Sequence, residues 1–477
     1  VDEEIDHLRR GDHLMELNPI ASPPQDLREV FDHMARDEPG DWEDIIARLR
    51  AMDLALDGYR QSLNEGRHRG LLAAQRQAEA VARQAGIHAS SEDSAFVQLE
   101  REFEALGHSP ALGADLANAV TAARAAFGRL GEYLRDDYLP SARAEDGVGA
   151  EEYARYAARF LGTEIDPRAT YEWGWSEVAT IRERMESVAD EILPGGGVAG
   201  ALGVLKTDPD RSAADRDTFR STMQDRIDEA LGKLAGSHFD VPEQIRSCVV
   251  KIAPPGGSLG AYYVGPSEDF TRPGAVWWSL EGDDPFPLYD EVSTAYHEGF
   301  PGHHLQVGVQ VSLADKLSRL HRLWMWKPGV GEGWALYAER LMDELGYLDK
   351  PDYVFGYLAA QMLRACRVVI DIGAHLDLRI PEHQPFHPGE PWRFETATEM
   401  LRELATLEAS YAESEVTRYL GWPGQAIAYK VGEQAILDIR SEVRTARGEE
   451  FDLGEFHREL LEIGPVGLDL LREMMLG

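Results

Sequence analysis

The chain has 477 residues, of which 43% are hydrophobic and 28% charged, a balance that fits a folded protein with a large core. Lysine and arginine number 48 against 84 aspartates and glutamates, a formal charge of −36. No basic cluster could track a phosphate backbone, which excludes nucleic acid as a partner, and the surplus acid reads as a solvated surface.

The first half reads as helix almost throughout. "DWEDIIARLRAMDLALDGYRQSL", "LANAVTAARAAFGRLGEYLRDDYL" and "YEWGWSEVATIRERMESVADEIL" place apolar residues at three- and four-residue spacing, as amphipathic helices require. The pattern breaks at Pro194 to Gly197. No fixed-period repeat is present, which disfavours a solenoid. No apolar run approaches the roughly 18 to 20 residues of a membrane-spanning helix, so no membrane partner is expected. Cys248 and Cys366 are too few for a disulfide framework and read as core thiols. A cytoplasmic location is expected, with an exported form left open because the chain begins at Val1.

Near residue 246 the texture changes. "IRSCVVKIAPPGGSLGAYYVGPSEDFTRPGAVWWSL" carries β-branched and aromatic runs between Gly-Pro turns and predicts a small antiparallel sheet. Helices follow, with a Pro-rich loop at residues 379 to 392. The predicted organisation is therefore a helical region over 1–245 that forms one wall of a cleft, and a region over 246–477 in which sheet meets helix.

The chemistry concentrates in "AYHEGFPGHHLQ", residues 295 to 306. A catalytic zinc often takes two histidines one helical turn apart with a glutamate beside the first. His297-Glu298 opens that pattern, but position 301, where the second histidine belongs, is Pro301. In a straight helix His304, two turns on, would lie about 10.5 Å away, too far for both imidazoles to reach one ion. The helix must deform. Pro301-Gly302 is where a backbone yields, and a bulge there returns His303 to the second ligand's place. A third ligand is expected from the next helix, "GVGEGWALYAERLMDEL". Glu332 is placed in its first turn, where the helix dipole favours a carboxylate. Glu339, two turns further on the same face, is a supporting partner or an alternative ligand.

"YHEGFPGHHLQ", "GEGWALYAERL", "LRACRVVIDIGAHL", "RYLGWPGQAIAYKVGEQAI" and "FHRELLEIGPV" together resemble the bacterial family called domain of unknown function 885. That family is itself similar to the gluzincin metallopeptidases of the thimet-oligopeptidase and carboxypeptidase Taq types. The motifs cover about the last 230 residues; the N-terminal helices match only in character. The resemblance implies a mostly α protein of zincin-like architecture, with a small antiparallel sheet beside the metal-binding helix. It implies one Zn2+ per chain on His297, His303 and Glu332, Glu298 as general base, and short peptides or peptide-like amides as substrates. The two-residue insertion departs from the peptidase pattern, so His304 stays open as the alternative to His303. Tyr429, in "QAIAYKVG", is the candidate donor to a developing oxyanion, since those peptidases use a tyrosine or histidine from a late helix.

Further candidates complete the site. Arg418 can clamp a carboxylate beside Tyr419. Arg364, Arg367, Asp371 and His375 form a polar stripe on an apolar helix, and the last three are assigned to supporting the metal helices together with His304 and Glu339. "GAVWWSL" is read as an edge strand along which a substrate lies, with Trp277 or Trp278 lining the cleft. The competing reading is a peptide-binding or scaffold protein that keeps the fold without turnover.

Overall fold

The computed structural model describes residues 2–92, 94–107, 109–253, 260–280, 282 and 284–477. The chain is mostly α-helical, at 68%, with small sheets. It divides into two compact units, residues 1–148 with 413–422, and residues 149–412 with 423–477. Residue 246, where the sequence changes texture, lies inside the second unit.

The first unit is built on the helix Pro39–His68. Glu38 and Asp41 exchange hydrogen bonds across its start, with Pro39 in the first turn, where no backbone donor is needed. Trp42, Ile45, Ile46, Leu49, Met52, Leu56, Tyr59 and Leu63 then recur at helical spacing and are all buried. Each contributes about 1.5–3 kcal/mol by leaving water. They pack with Phe96, Phe103 and Phe127 from the helices Ala95–Leu106 and Pro110–Tyr133. The Trp42 and Phe103 rings meet edge to face at 5.1 Å. The returning segment joins this unit through Gln77, whose Nε2 donates to the Thr417 carbonyl at 2.9 Å.

In the second unit, glycines set how closely helices approach. A Cβ on Gly174, in the helix Pro167–Ile192, would sit 2.8 Å from Val368 Cγ1 in the helix Pro351–His375. The helices Pro328–Glu344 and Ala428–Arg447 meet backbone to backbone, since a Cβ on Gly432 would lie 2.0 Å from the Gly329 carbonyl oxygen and one on Gly333 2.5 Å from the Gly432 carbonyl carbon. Pro351–His375 corrects one expectation. It is long and apolar enough to cross a membrane, with a mean hydropathy of 1.2 over its best window, but 83% of that window is buried inside the fold, as suits a core helix.

Five strands are present among the described residues. Strands β1 (Ser212–Ala213) and β5 (Phe286–Pro287) form a short antiparallel pair. Strands β2 (Cys248–Ile252), β3 (Gly260–Val264) and β4 (Gly274–Ser279) form a three-stranded sheet in the order β2-β4-β3. The expected antiparallel sheet is mixed: β3 runs antiparallel to β4, but β2 runs parallel to it. The strand holding Trp277 and Trp278 is therefore central and β3 is an edge, because the chain passes over β4's place before returning to fill it. The turn-rich segment 254–259 lies outside the described residues.

A hydrogen bond from the sheet reaches the helix that opens the site. Trp278, buried against Phe219 with ring centroids 6.0 Å apart, donates from Nε1 to Glu291 Oε2 at 2.8 Å. Glu291 opens the helix Glu291–Glu298, which ends on His297 and Glu298.

Candidate metal centre

The expected break in the helix is present. Glu291–Glu298 stops, residues 299 to 302 form a turn, and a new helix runs from His303 to Ser312. Side chains could not be accommodated in that turn's corners. A Cβ on Gly302 would lie 1.9 Å from the His297 carbonyl oxygen, and one on Gly299 2.5 Å from the Ala295 oxygen. Phe300 is fully buried against Phe239, and Trp334 Nε1 donates to the Pro301 carbonyl at 2.9 Å, which fastens the turn to the helix Pro328–Glu344.

The turn brings the His297 and His303 rings to 4.9 Å, nearly perpendicular at 86°. Possible ligand atoms of His297, Glu298 and His303 all lie within 4.8 Å of one another. Glu332 joins them: its Oε2 is 3.6 Å from His297 Nε2 and 3.5 Å from His303 Nε2. Glu298 Oε1 stands 4.0 Å from His297 Nε2. Behind the cluster, Glu339 Oε1 contacts His297 Nδ1 at 2.8 Å, and its other oxygen accepts from the Ser293 hydroxyl. His303 Nδ1 faces Gln306 Oε1 at 3.3 Å, and Gln306 Nε2 donates to the Val330 carbonyl. Both histidines thus turn Nε2 inward and are held from outside by Nδ1.

Three carboxylates, Glu339 buried and Glu298 and Glu332 half-buried, surround two imidazoles and draw positive charge. Burial opposes a charged ring at His297, but Glu332 and Glu339 outweigh it and push its pKa up to about 10. Burial also opposes charge on Glu332, yet His297 and His303 hold its carboxyl well below the usual range. At Glu298 burial prevails and lifts the carboxyl above that range against the pull of His303 and His297.

His304 faces elsewhere. Its Nε2 lies 2.7 Å from the Ile245 carbonyl, which only an N–H can satisfy, so Nδ1 accepts from the Tyr263 hydroxyl at 3.0 Å. Burial pushes its pKa down to about 4 against the pull of that carbonyl. Both ring nitrogens are occupied away from the cluster.

A cavity of about 590 Å³ opens over His297, Glu298, His303 and Glu332. Its other walls include Tyr262 and Tyr263 of β3, Trp326, Arg364, Arg367, Tyr411 and Tyr429. A family model for bacterial proteins of unknown function, DUF885, matches residues 1–475. The chain belongs to the DUF885 family. Membership spans nearly the whole chain, well beyond the C-terminal motifs that carry the resemblance in the sequence. A solved structure described as a "putative lipoprotein" from Colwellia psychrerythraea is similar to this DUF885 chain with a TM-score of 0.82 and 26% identity, covering 97% of this chain and 80% of that one. A "putative lipoprotein of unknown function" from Shewanella oneidensis matches with a TM-score of 0.66 and 19% identity over 92% and 78% of the two chains, a likeness of fold. No curated protein matches.

Several expected site residues of this DUF885 chain are engaged by residues other than the histidine cluster. Trp277 does not line the cavity; its ring stacks on Tyr262 with centroids 6.4 Å apart and carries the Lys251 ammonium at 4.7 Å. Arg418 and Tyr419 belong to the first unit and both bond Glu415, Arg418 at 3.1 and 2.9 Å and the Tyr419 hydroxyl at 2.6 Å. Asp371 accepts from the Tyr153 hydroxyl at 2.8 Å and the Gly424 amide at 3.0 Å, with His375 Nε2 3.5 Å from its other oxygen, so it ties elements of the second unit together. Glu332 is the fifth residue of its helix, past the first turn, so the two imidazoles and not the helix dipole stabilise its charge. Tyr262, Trp326 and Tyr411 were not singled out by the sequence. "WMWKPG", two tryptophans just before a helix-opening proline, is a signal for Trp326 that goes unread without the fold.

Proposed function

We propose that the chain is a zinc-dependent hydrolase of zincin-like architecture that cleaves amide bonds in short peptides. One observation carries the reading: a single oxygen of Glu332 lies 3.5 and 3.6 Å from two inward-facing imidazole nitrogens. Ligand atoms at about 2.0–2.1 Å from one tetrahedral ion are about 3.4 Å apart, so both Glu332 distances fit those between two ligands of one ion. Glu298, at 4.0 Å from only one of these nitrogens, fits better as the neighbouring base than as the third ligand. Two imidazoles with one glutamate are a donor set that catalytic zinc takes, and the carboxylate behind His297 is the usual support for such a ligand.

A divalent cation held by His297, His303 and Glu332 would lower the pKa of a water and polarise a carbonyl. Glu298 would take a proton from that water as the water's oxygen bonds to the carbonyl carbon and the C=O pair moves onto the carbonyl oxygen, and would return the proton to the nitrogen as the C–N bond breaks. Burial lifts the Glu298 carboxyl, which makes it a stronger proton acceptor than a surface carboxylate. Tyr429, which lines the same cavity, is the proposed donor to the oxyanion. The edge of β3 that faces no strand among the described residues offers main-chain groups to an extended peptide, a role the sequence assigns to β4.

The test is metal analysis followed by digestion of a peptide library. About one zinc per chain, lost in His297→Ala, and peptide cleavage abolished in Glu298→Gln with the zinc retained are the expected results. A metal-loaded wild type inert on a broad library would favour the non-catalytic peptide-binding alternative. The lipoprotein descriptions of both solved structures favour an exported protein over a cytoplasmic one. Fractionation of the source cells decides, with recovery in the cytosol alone counting against export.

A further inference from the structure

We propose that Arg364 and Arg367 form a seat for a carboxylate of the substrate, so that the cavity selects short peptides presenting one; this rests on the hydrolase reading above. The two arginines stand three apart on the helix Pro351–His375 and so share a face. Both line the cavity with His297, Glu298 and Glu332, and among its described lining residues they are the only lysine or arginine side chains.

Arg364 is incompletely used by the protein. Its Nη1 donates to the Ala360 carbonyl at 3.1 Å, on its own helix, while its buried Nε has no hydrogen-bond partner. Among the described residues no carboxylate comes within ion-pair distance of it, although its charge reaches Glu298 and Glu339. Leaving such a donor unsatisfied costs about 1–3 kcal/mol, so the guanidinium gains by turning toward a ligand oxygen in the cavity. Arg367 supplies orientation. Its guanidinium carbon sits 4.7 Å above the Tyr429 ring, a stacking that fixes the plane of the group.

A planar guanidinium matches a carboxylate through two parallel hydrogen bonds, and more weakly matches a neutral amide. With a net charge of −36, long-range attraction does not draw an anionic peptide to this chain, so recognition must be local. The anion can be the C-terminal carboxylate or an acidic side chain. The first places the cut near the peptide's end; the second leaves its position free.

Three pooled tripeptide libraries separate these cases: neutral side chains as free acids, the same peptides as C-terminal amides, and amides carrying one Asp or Glu. Each is offered to the zinc-loaded wild type for turnover. Each is also offered to zinc-loaded Glu298→Gln for capture, with bound peptides read by mass spectrometry. Expected is at least about a tenfold preference for one carboxylate-bearing library over the neutral amides. Free acids favoured identify the C-terminus; acidic amides favoured identify a side chain. Arg364→Gln should raise KM for the favoured library by a similar factor with little change in kcat, and Arg364→Lys should restore part of it. Equal capture of all three libraries overturns the proposal. So does an equal fall in kcat on all three in Arg364→Gln, which would assign the arginine to the transition state. Absence of turnover with carboxylate-selective capture would instead reject the hydrolase reading and keep the seat.

Discussion

Glu339 does not line the cavity, yet it decides how His297 faces it. Its contact with Nδ1 leaves Nε2 as the atom turned toward Glu332, and the Ser293 hydroxyl holds the carboxylate in place. Glu339→Gln should therefore weaken zinc binding by about 10–100-fold, measured by competition with a chromogenic chelator, while Glu298→Gln should not. Equal affinities in Glu339→Gln and wild type would remove the support role. A second residue-scale prediction concerns His457, fully buried between the Tyr337 hydroxyl at 2.7 Å and the His238 carbonyl at 2.9 Å. Burial is the main reason its pKa falls to about 4. An unfolded histidine titrates near 6.5, so the unfolded chain binds the extra proton between the two values, and stability falls as pH drops through that window. The loss from pH 7 to pH 5 should be on the order of 1–2 kcal/mol. Denaturant melts at the two pH values measure it, and His457→Gln should flatten the difference; an unchanged pH dependence in that variant would refute the assignment. At this scale His297, Glu298 and the Pro301-Gly302 interruption are readable from the sequence, because their chemistry and spacing are local. Arg418 and Tyr419 were open to a simpler reading too: Glu415 stands three and four positions before them, the spacing of partners on one helix.

The elements place the proposed catalytic groups through contacts that admit no side chain. Glu332 and Tyr429 reach the cavity from two helices whose backbones touch at Gly329, Gly333 and Gly432. Gly432→Ala would put its Cβ 2.0 Å from the Gly329 oxygen, so the helices must separate. We expect a loss of about 1–3 kcal/mol in stability and a larger proportional loss in turnover, because the Glu332 carboxylate moves from its two imidazoles. Denaturant midpoints and peptide cleavage by the variant check this; wild-type turnover in a destabilised Gly432→Ala would show that the spacing does not matter to the chemistry. Helix existence is legible from apolar periodicity, as with Trp42, Ile45, Leu49, Met52 and Leu56. Strand order is not. "AVWWSL" shows a strand, but its central position depends on β2 and β3 pairing on either side, and no local residue encodes that choice. For the same reason Arg364 could be placed on a polar stripe without showing which way the stripe faced.

For the whole molecule, a metal shared by the Glu291–Glu298, His303–Ser312 and Pro328–Glu344 helices would join three elements of the second unit. Chelation should then lower its melting temperature, by an amount equivalent to about 4 kcal/mol when zinc is at a thousandfold its dissociation constant. Differential scanning calorimetry with and without chelator, repeated on His297→Ala, tests this; the same shift in the variant would show that chelation acts elsewhere. The first unit carries a different consequence, in time. Its Gln77 awaits the carbonyl of Thr417, and its final segment, 413–422, is made about 270 residues after position 148. At roughly 5–20 residues per second, the ribosome leaves that unit incomplete for on the order of 15–50 s. During that interval most of the second unit's sequence is being synthesised, so a nascent chain of this protein holds its earliest helices without their last partner.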